Sequence, residues 1–507
     1  MRLLNSLKNS AMSVGQMLVT TLFTFLVRTV FIRTLGVDYQ GLNSLFTSII
    51  GMLSIAELGI GTAIIFNMYQ PLAAGDTETL KSLMRFYRNC YRVVALVVTA
   101  IGLLLLPFLH LFSHYPGIHD NVILVFLLFL ASTVAGYLFS YKRSILYADQ
   151  KNYWLSLFDT LQTLILDILQ LVILLQTHSF ILFLLASLVT TLLENFYIAY
   201  FANKRYPWLR EKPISPLPRD ILHAFRKQIY GMFFHNIGTF VVFGTDSLII
   251  TAFLGLGTMG RYANYLLVTN AASTLLGTLI SGVTASVGDL LTENDPDAAF
   301  DIYQKMSFLN FWLESWAAIA IFLVMQPFIT LWLGKSFLLS ISVLFCIVLN
   351  FYVTGMRRPI QIFQSAAGIF YENRHVPILE SLINLVASLI LVHFLGLEGV
   401  LIGTLLSTMI LYGYSFPKYL YQPTFKRPNR DYVIEQLRWL VLFLAMLALS
   451  ALIFFLGHGI SGHWALFAFA IALGLIFPNL LLILLFSRRS EFHYYKGLLL
   501  SAIRRTQ

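Results

Sequence analysis

An all-α integral membrane protein of fourteen transmembrane helices, built as two pseudosymmetric six-helix lobes with two further helices and both termini in the cytosol, is the fold that three features of the sequence predict. The first is composition: 58% of the residues are hydrophobic and only 11% are charged, a balance that no soluble domain of this length tolerates on its surface. The second is a series of fourteen apolar stretches of membrane-spanning length. The third is a weak internal repeat that carries the first six stretches onto the next six.

The stretches run near 10–33, 41–69, 89–112, 120–141, 153–176, 179–202, 228–254, 262–290, 306–333, 336–356, 377–395, 398–417, 436–457 and 463–487. Each holds about 20 residues or more, enough to cross the hydrocarbon at the rise of an α-helix. The first follows Arg2 and Lys8, but it is too long for a signal h-region and lacks a small-x-small cleavage site, so a retained helix is expected. Spans 1 to 6 give an N-terminal lobe over 1–205, and a basic cytosolic linker follows at 206–227. Spans 7 to 12 give a second lobe over 228–420, and 421–507 hold the last two spans and a basic tail. Cys90 and Cys346 lie in or beside different spans and imply no disulfide framework.

Orientation follows from lysine and arginine. With the N-terminus inside, the cytosolic stretches hold 30 of the 34 basic residues; Arg33, Arg261 and Lys335 fall outside, and Arg28 lies within span 1. A bias this lopsided fits one frame only. It also accounts for the net charge of +10, which needs an anionic inner leaflet and no nucleic acid.

The repeat is read from four matches in chain order. "LGVDYQG" at 35–41 is answered by "LGLGTMG" at 254–260, and "LAAGDTE" at 72–78 by "LTENDPD" at 291–297, both at a shift of 219. "YKRSI" at 141–145 falls on "MRRPI" at 356–360 at a shift of 215, and Asp159 meets Glu380 at 221. Six helices per copy preserve orientation, so a twofold axis along the membrane normal is expected.

Seven carboxylates fall inside spans: Glu57, Asp159, Asp167, Glu194, Asp246, Glu314 and Glu380. A charge at the centre of a membrane helix costs about 2.5–3.5 kcal/mol on the insertion scale, so these side chains should face protein or water. Polar residues also form stripes at helical spacing: Gln16, Thr20, Thr24 and Arg28 in span 1, Asp159, Gln162, Asp167 and Gln170 in span 5, and Asn350, Arg357, Gln361 and Gln364 at the end of span 10. Such stripes suggest a hydrated cavity between the halves. The plainer reading is interhelical hydrogen bonding, with Glu194 and Glu314 at headgroup depth and Arg28 snorkelling outward.

Two basic pairs end spans 4 and 10. Lys142 and Arg143 arrive about 22 residues after the start of one, Arg357 and Arg358 about 21 after the start of the other, some 32 Å down. That is inner-leaflet headgroup depth. They serve either as positive-inside anchors or, being symmetric, as receptors for an anionic headgroup. Asp159 and Glu380 are placed to pair with them and to couple transport to an ion. Arg28 and Asp246 fall at nearly the same depth in the two halves and are expected to meet as an external gate. Pro359 should kink span 10 beside its arginines and free carbonyls into the hydrated region.

No phosphate-loop, zinc-hydrolase, paired-cysteine or nucleophile-elbow motif is present, and the longest external loop is far too short for a catalytic domain. No catalytic residue, metal or cofactor is expected. "LGVDYQGLNSLFTSIIGMLSIAELGIGTAI" (35–64), "YADQKNY" (147–153), "GTDSLIITAFLGL" (244–256) and "GMRRPIQIFQSAAGIFYENR" (355–374) resemble the Wzx-type bacterial polysaccharide flippases of the multidrug/oligosaccharidyl-lipid/polysaccharide exporter superfamily. The likeness covers nearly the whole chain. It implies translocation of an undecaprenyl-diphosphate-linked oligosaccharide from the inner to the outer leaflet of a bacterial plasma membrane by alternating access. It implies a polymerase and glycosyltransferases as partners, and Arg28, Glu57, Asp246, Arg357 and Arg358 as the intramembrane charges; Lys142 and Arg143, from the symmetry of the basic pairs, and Gln361, from the polar stripe, are expected beside the substrate. A cation-coupled drug or metabolite antiporter of the same superfamily is the alternative, and would suit the acidic Glu57, Asp159, Asp167 and Asp246.

Overall fold

The computed structural model describes residues 2–54, 60–112, 117–149, 151–211, 217, 244–281, 287, 291, 295–367, 369, 372–457 and 462–497. The described residues are helical almost throughout and contain no strand. In chain order the helices are α1 (Arg2–Leu35), α2 (Val37–Leu53), α3 (Ile60–Ala74), α4 (Thr77–Leu105), α5 (Val122–Ala148), α6 (Asn152–Thr177), α7 (Phe180–Arg205), α8 (Gly244–Leu254) and α9 (Leu256–Ser281). They continue with α10 (Pro296–Trp332), α11 (Ile341–Met356), α12 (Arg358–Ala367), α13 (Val376–Leu395), α14 (Leu397–Ile410), α15 (Asn429–Leu456) and α16 (His463–Phe486). A π-helical segment, Leu411–Tyr421, prolongs α14. Among the described residues, nine helices are long and apolar enough to cross a membrane, or ten if one bent pair counts as a span.

Helix starts repeat at the same shift as the sequence. Asp76 caps α4 by accepting from the Thr79 amide at 3.0 Å, and Asp295, 219 residues later, caps α10 by accepting from the amides of Asp297 and Ala298. Asn121 caps α5, and Ser340, again 219 later, caps α11. Each cap satisfies amides that the first turn leaves without carbonyl partners. Gly36 and Gly255 both take positive φ, 94° and 85°, between consecutive helices, a conformation that favours glycine.

The chain forms two compact units, Met1–Gly260 and Arg261–Gln507, so α8, which belongs to the expected second lobe, sits in the first unit. There it runs antiparallel to α2 through small residues. The Ser48 hydroxyl donates to Ser247 at 2.9 Å, and a Cβ on Gly244 would run into Met52. Farther along, a Cβ on Gly41 would strike the Leu256 carbonyl and one on Gly260 the Val37 carbonyl. These two approaches exchange under the 219-residue shift. The core of this unit is aromatic and edge-packed, with Phe31, Tyr39, Phe180 and Phe183 in mutual contact. In the second unit Tyr352 stacks on Phe443 at 3.9 Å, and Tyr303, Phe363, Tyr421 and Phe425 form a second aromatic knot.

Candidate functional site

Consecutive residues on a helix point about 100° apart, and this separates both basic pairs. In the first unit Arg143, near the end of α5, forks between two carboxylates: one guanidinium nitrogen pairs with Asp159 of α6, the other with Glu194 of α7 at 3.4 Å. Lys142 turns away and donates to the Asn203 side-chain oxygen of α7 at 3.0 Å. In the second unit Arg357 donates to Glu380 of α13 at 3.3 Å and to the Thr354 hydroxyl at 3.4 Å. Arg358 turns the other way, to Glu314 of α10, and donates to the Ser273 carbonyl and hydroxyl of α9 at 2.9 and 2.7 Å. In the second unit the two arginines reach different helices, whereas in the first both bases reach α7 and Arg143 reaches α6 as well; each unit joins a base at the end of one span to an acid near the start of the next.

The register differs between the units by one residue. The second base, Arg143, takes the acid in the first unit; the first base, Arg357, takes it in the second. The cause is a break between α11 and α12 at Arg357. Pro359 has no amide to give to the Gly355 carbonyl four residues earlier. That carbonyl accepts instead from the buried Asn310 side chain of α10 at 3.2 Å. The kink is thus centred just before Pro359, and the freed carbonyl is taken by protein; the expectation that it opens to a hydrated region is corrected. Gly355 also has to be a glycine, because a Cβ there would meet the Glu314 carboxylate.

Glu314 is 0% exposed, 18 residues into a 37-residue helix, and its contact with Arg358 puts it at the depth of that arginine, enclosed by protein. A wholly buried carboxylate is tolerable only with a cationic partner, and Arg358 supplies it. Glu194 is likewise engaged, by Arg143.

The polar stripes turn out to be largely committed between helices. Gln162 donates to Thr190 at 3.4 Å and Gln170 to Ser187 at 2.9 Å, tying α6 to α7. Asn350 donates to the Leu401 carbonyl of α14, and Gln364 to the Ile369 carbonyl. Gln361 is exposed. Arg28 of α1 is partly buried, with Nη1 lacking a hydrogen-bond partner among the described residues, and no ion pair joins it to the buried Asp246 of α8. Glu57 lies outside the described residues. No group of three or more metal-ligating side chains occurs among those described.

Beyond the ends of α5 and α7 the described loops hold a further polar cluster. Asp149 accepts from the Lys151 ammonium and from the Tyr206 hydroxyl. Burial pushes the Asp149 carboxyl up, but these two hydrogen bonds outweigh it and hold the group below the usual carboxylate range. Burial, and then Asp149 itself, pushes the Tyr206 hydroxyl up. Asn310 and this cluster escaped the sequence reading, since no spacing links Asp149 to a tyrosine 57 residues away.

Residues 6–286, more than half of the chain, match the family model described as polysaccharide biosynthesis protein. No curated protein matches the chain by sequence. Among solved structures, the lipid II flippase MurJ in an inward closed conformation superposes with a TM-score of 0.67 at 16% identity, covering 96% of this chain and 99% of that one. An inward-facing multidrug resistance MATE family transporter of the MOP superfamily gives 0.63 at 18% identity, covering 77% and 91%. The Vibrio cholerae MATE transporter VcmN in its bent form gives 0.51 at 18%, covering 84% and 99%. The structural likenesses show the fold alone, one shared with these membrane proteins, and the family match over more than half of its length shows that the chain belongs to the polysaccharide biosynthesis protein family.

Proposed function

We propose that the protein is a flippase that carries an undecaprenyl-diphosphate-linked oligosaccharide from the inner to the outer leaflet of a bacterial plasma membrane by alternating access, with both termini cytosolic. The observation that carries this reading is the ion pair repeated in the two units, Arg143 with Asp159 and Arg357 with Glu380. The charge bias assigns both to the cytosolic side, at the depth of lipid phosphates. A diphosphate offers a guanidinium more charge and more acceptor oxygens than a carboxylate does. Exchange of one acceptor for the other keeps the arginine paired throughout, so entry of the headgroup strands no buried cation. The displaced Asp159 and Glu380 are then free to take up a proton or another cation, which would couple transport to an ion gradient.

The Arg358–Glu314 pair has a different role in this reading, because Glu314 is inaccessible and would be left bare. It holds the broken span in shape. Neutralising Arg357 together with Glu380, as Arg357→Gln with Glu380→Gln, removes the exchangeable pair without leaving a lone charge. In a strain that depends on this protein, surface polysaccharide should fall by about tenfold or more at unchanged protein level. Normal export at normal level would return Arg357 to the role of a membrane anchor.

A cation antiporter of the same superfamily is favoured by one observation. Asp167 of α6 is buried, with one carboxylate oxygen that has no hydrogen-bond partner among the described residues. An Asp167→Asn variant separates the readings: an antiporter using that carboxylate loses cation export, whereas glycolipid export persists.

A further inference from the structure

The first unit contains a second, more strongly basic feature that the ion pairs do not involve. Lys81, Arg85 and Arg88 stand at i, i+4 and i+7 on α4 and so share one face. Together with Lys142 of α5 and with Arg210 and Glu211 they line a pocket of about 240 Å³. The 3₁₀ turn Pro207–Arg210 closes it, held by Lys81, which donates to Glu211 at 2.6 Å and to Glu78 at 2.7 Å. Five cations thus surround one space whose single lining carboxylate is already committed to Lys81. Arg85, Arg88 and Arg210 have no carboxylate within 4.0 Å among the described residues, and the buried Arg88 Nε has no hydrogen-bond partner there. Arg210 and Arg88 both repel the Lys142 ammonium.

The repeat shows that the architecture does not require this charge. In the second unit the equivalent corner, about 390 Å³, has Phe300 and Gln304 at the places of Lys81 and Arg85 under the shift of 219. It is closed by Arg427, which stacks on Phe300 at 3.9 Å and pairs with Asp297 at 3.1 Å. Asp431 and Glu435 line that pocket beside Arg427, Arg438 and Arg489, so two carboxylates stand among its three arginines. In the first unit, among the described residues, only Glu211 lines the pocket against five cations, and like charges gathered at a partly open pocket favour a counter-charge.

We propose that the pocket of Lys81, Arg85, Arg88, Lys142 and Arg210 is a phosphate-binding site, which takes the phosphoryl or diphosphate group of an anionic lipid or of a soluble phosphate compound. A volume several times the roughly 30 Å³ share of one water accommodates such a group. The guanidinium groups supply forked donors suited to its oxygens. The site stands whether or not the protein flips a glycolipid, and its test reads binding rather than transport.

Full-length protein in phosphatidylcholine nanodiscs is titrated with inorganic pyrophosphate and followed by calorimetry. Wild type should bind saturably and more weakly as salt rises. Arg85→Gln with Arg88→Gln should weaken binding at least about tenfold, Arg85→Lys with Arg88→Lys should retain most of it, and Arg488→Gln with Lys496→Gln should not change it. Displacement of pyrophosphate by phosphatidylglycerol or undecaprenyl diphosphate added to the disc identifies a lipid headgroup as the occupant; no displacement identifies a soluble phosphate compound. If wild type shows no saturable binding, or the glutamine variant binds as wild type does, the site does not exist. Should the double glutamine variant fail to fold, Arg88→Gln alone against Arg88→Lys decides by the same criterion.

Discussion

Glu314 is the residue on which the second unit's charge arrangement turns. Its carboxylate faces Arg358 on one side and the bare backbone of Gly355 on the other. Removing one partner of a buried pair costs about 3–5 kcal/mol, because the other charge stays behind. Glu314→Gln should therefore lower the thermal stability of the purified protein markedly, and Glu314→Gln with Arg358→Gln should recover most of the loss; a double variant no better than the single would show that the two do not act as a pair. Gly355→Ala should cost about 1–3 kcal/mol by overpacking, read in the same melts. Asp149 gives a pH test. Its folded value lies below the usual range, so its stabilisation is fully present above the unfolded value near 3.9 and is lost as pH falls through the lower folded one. Asp149→Asn should be less stable than wild type at neutral pH, and the gap should close as the pH falls below the usual carboxylate range; a gap independent of pH would contradict the assignment. Arginine pairs and buried acids were legible in the sequence because charge inside an apolar span is conspicuous. Their partners were not: Arg358 lies 44 residues from Glu314 and Arg143 lies 51 from Glu194, and helical spacing gives a face, not the neighbour that meets it.

Among the elements, the broken span α11–α12 departs most from what its sequence announces. Pro359 made a kink expected, but the position of the break at Arg357 depends on Asn310, which occupies the carbonyl that proline leaves free. The two residues form a testable cycle. Asn310→Ala leaves the buried Gly355 carbonyl unpaired and should cost about 1–3 kcal/mol. Pro359→Ala restores an amide that can close the helix onto that carbonyl, so Asn310→Ala should cost much less in its presence. Equal costs in both backgrounds would mean that the proline does not set the break. The boundaries of α13 and α16 matched their apolar stretches closely, because lipid demands an apolar length, and Asn121 and Ser340 cap α5 and α11 near where theirs begin; α4 and α10 instead start at their caps Asp76 and Asp295, well ahead of the stretches at 89–112 and 306–333. Span 2 was read as continuous; α2 and α3 cover its two ends, and 55–59 lie outside the described residues.

For the whole molecule, the repeat carries the most information. From sequence alone it paired the glycine-bearing stretches at 35–41 and 254–260, the stretches holding Asp76 and Asp295, and the basic ends of spans 4 and 10; that the first two are turns and caps came from the structure. It did not reveal that Lys81, Arg85 and Arg88 converge on a pocket, because four basic residues at the start of span 3 are what the positive-inside rule already asks for. The central claim is that the repeated arginine–carboxylate pairs yield to the diphosphate of a lipid-linked oligosaccharide and so admit it for translocation. The most direct measurement is leaflet transfer of undecaprenyl-diphosphate oligosaccharide in proteoliposomes, followed by the access of an external glycosidase to the sugar. Wild-type protein should move the glycolipid, and the variant neutral at both pairs, Arg143→Gln, Asp159→Asn, Arg357→Gln and Glu380→Gln, should move it at least about tenfold more slowly. Transfer by that variant at the wild-type rate, or no transfer by wild-type protein that exports an organic cation from the same vesicles, would contradict the claim.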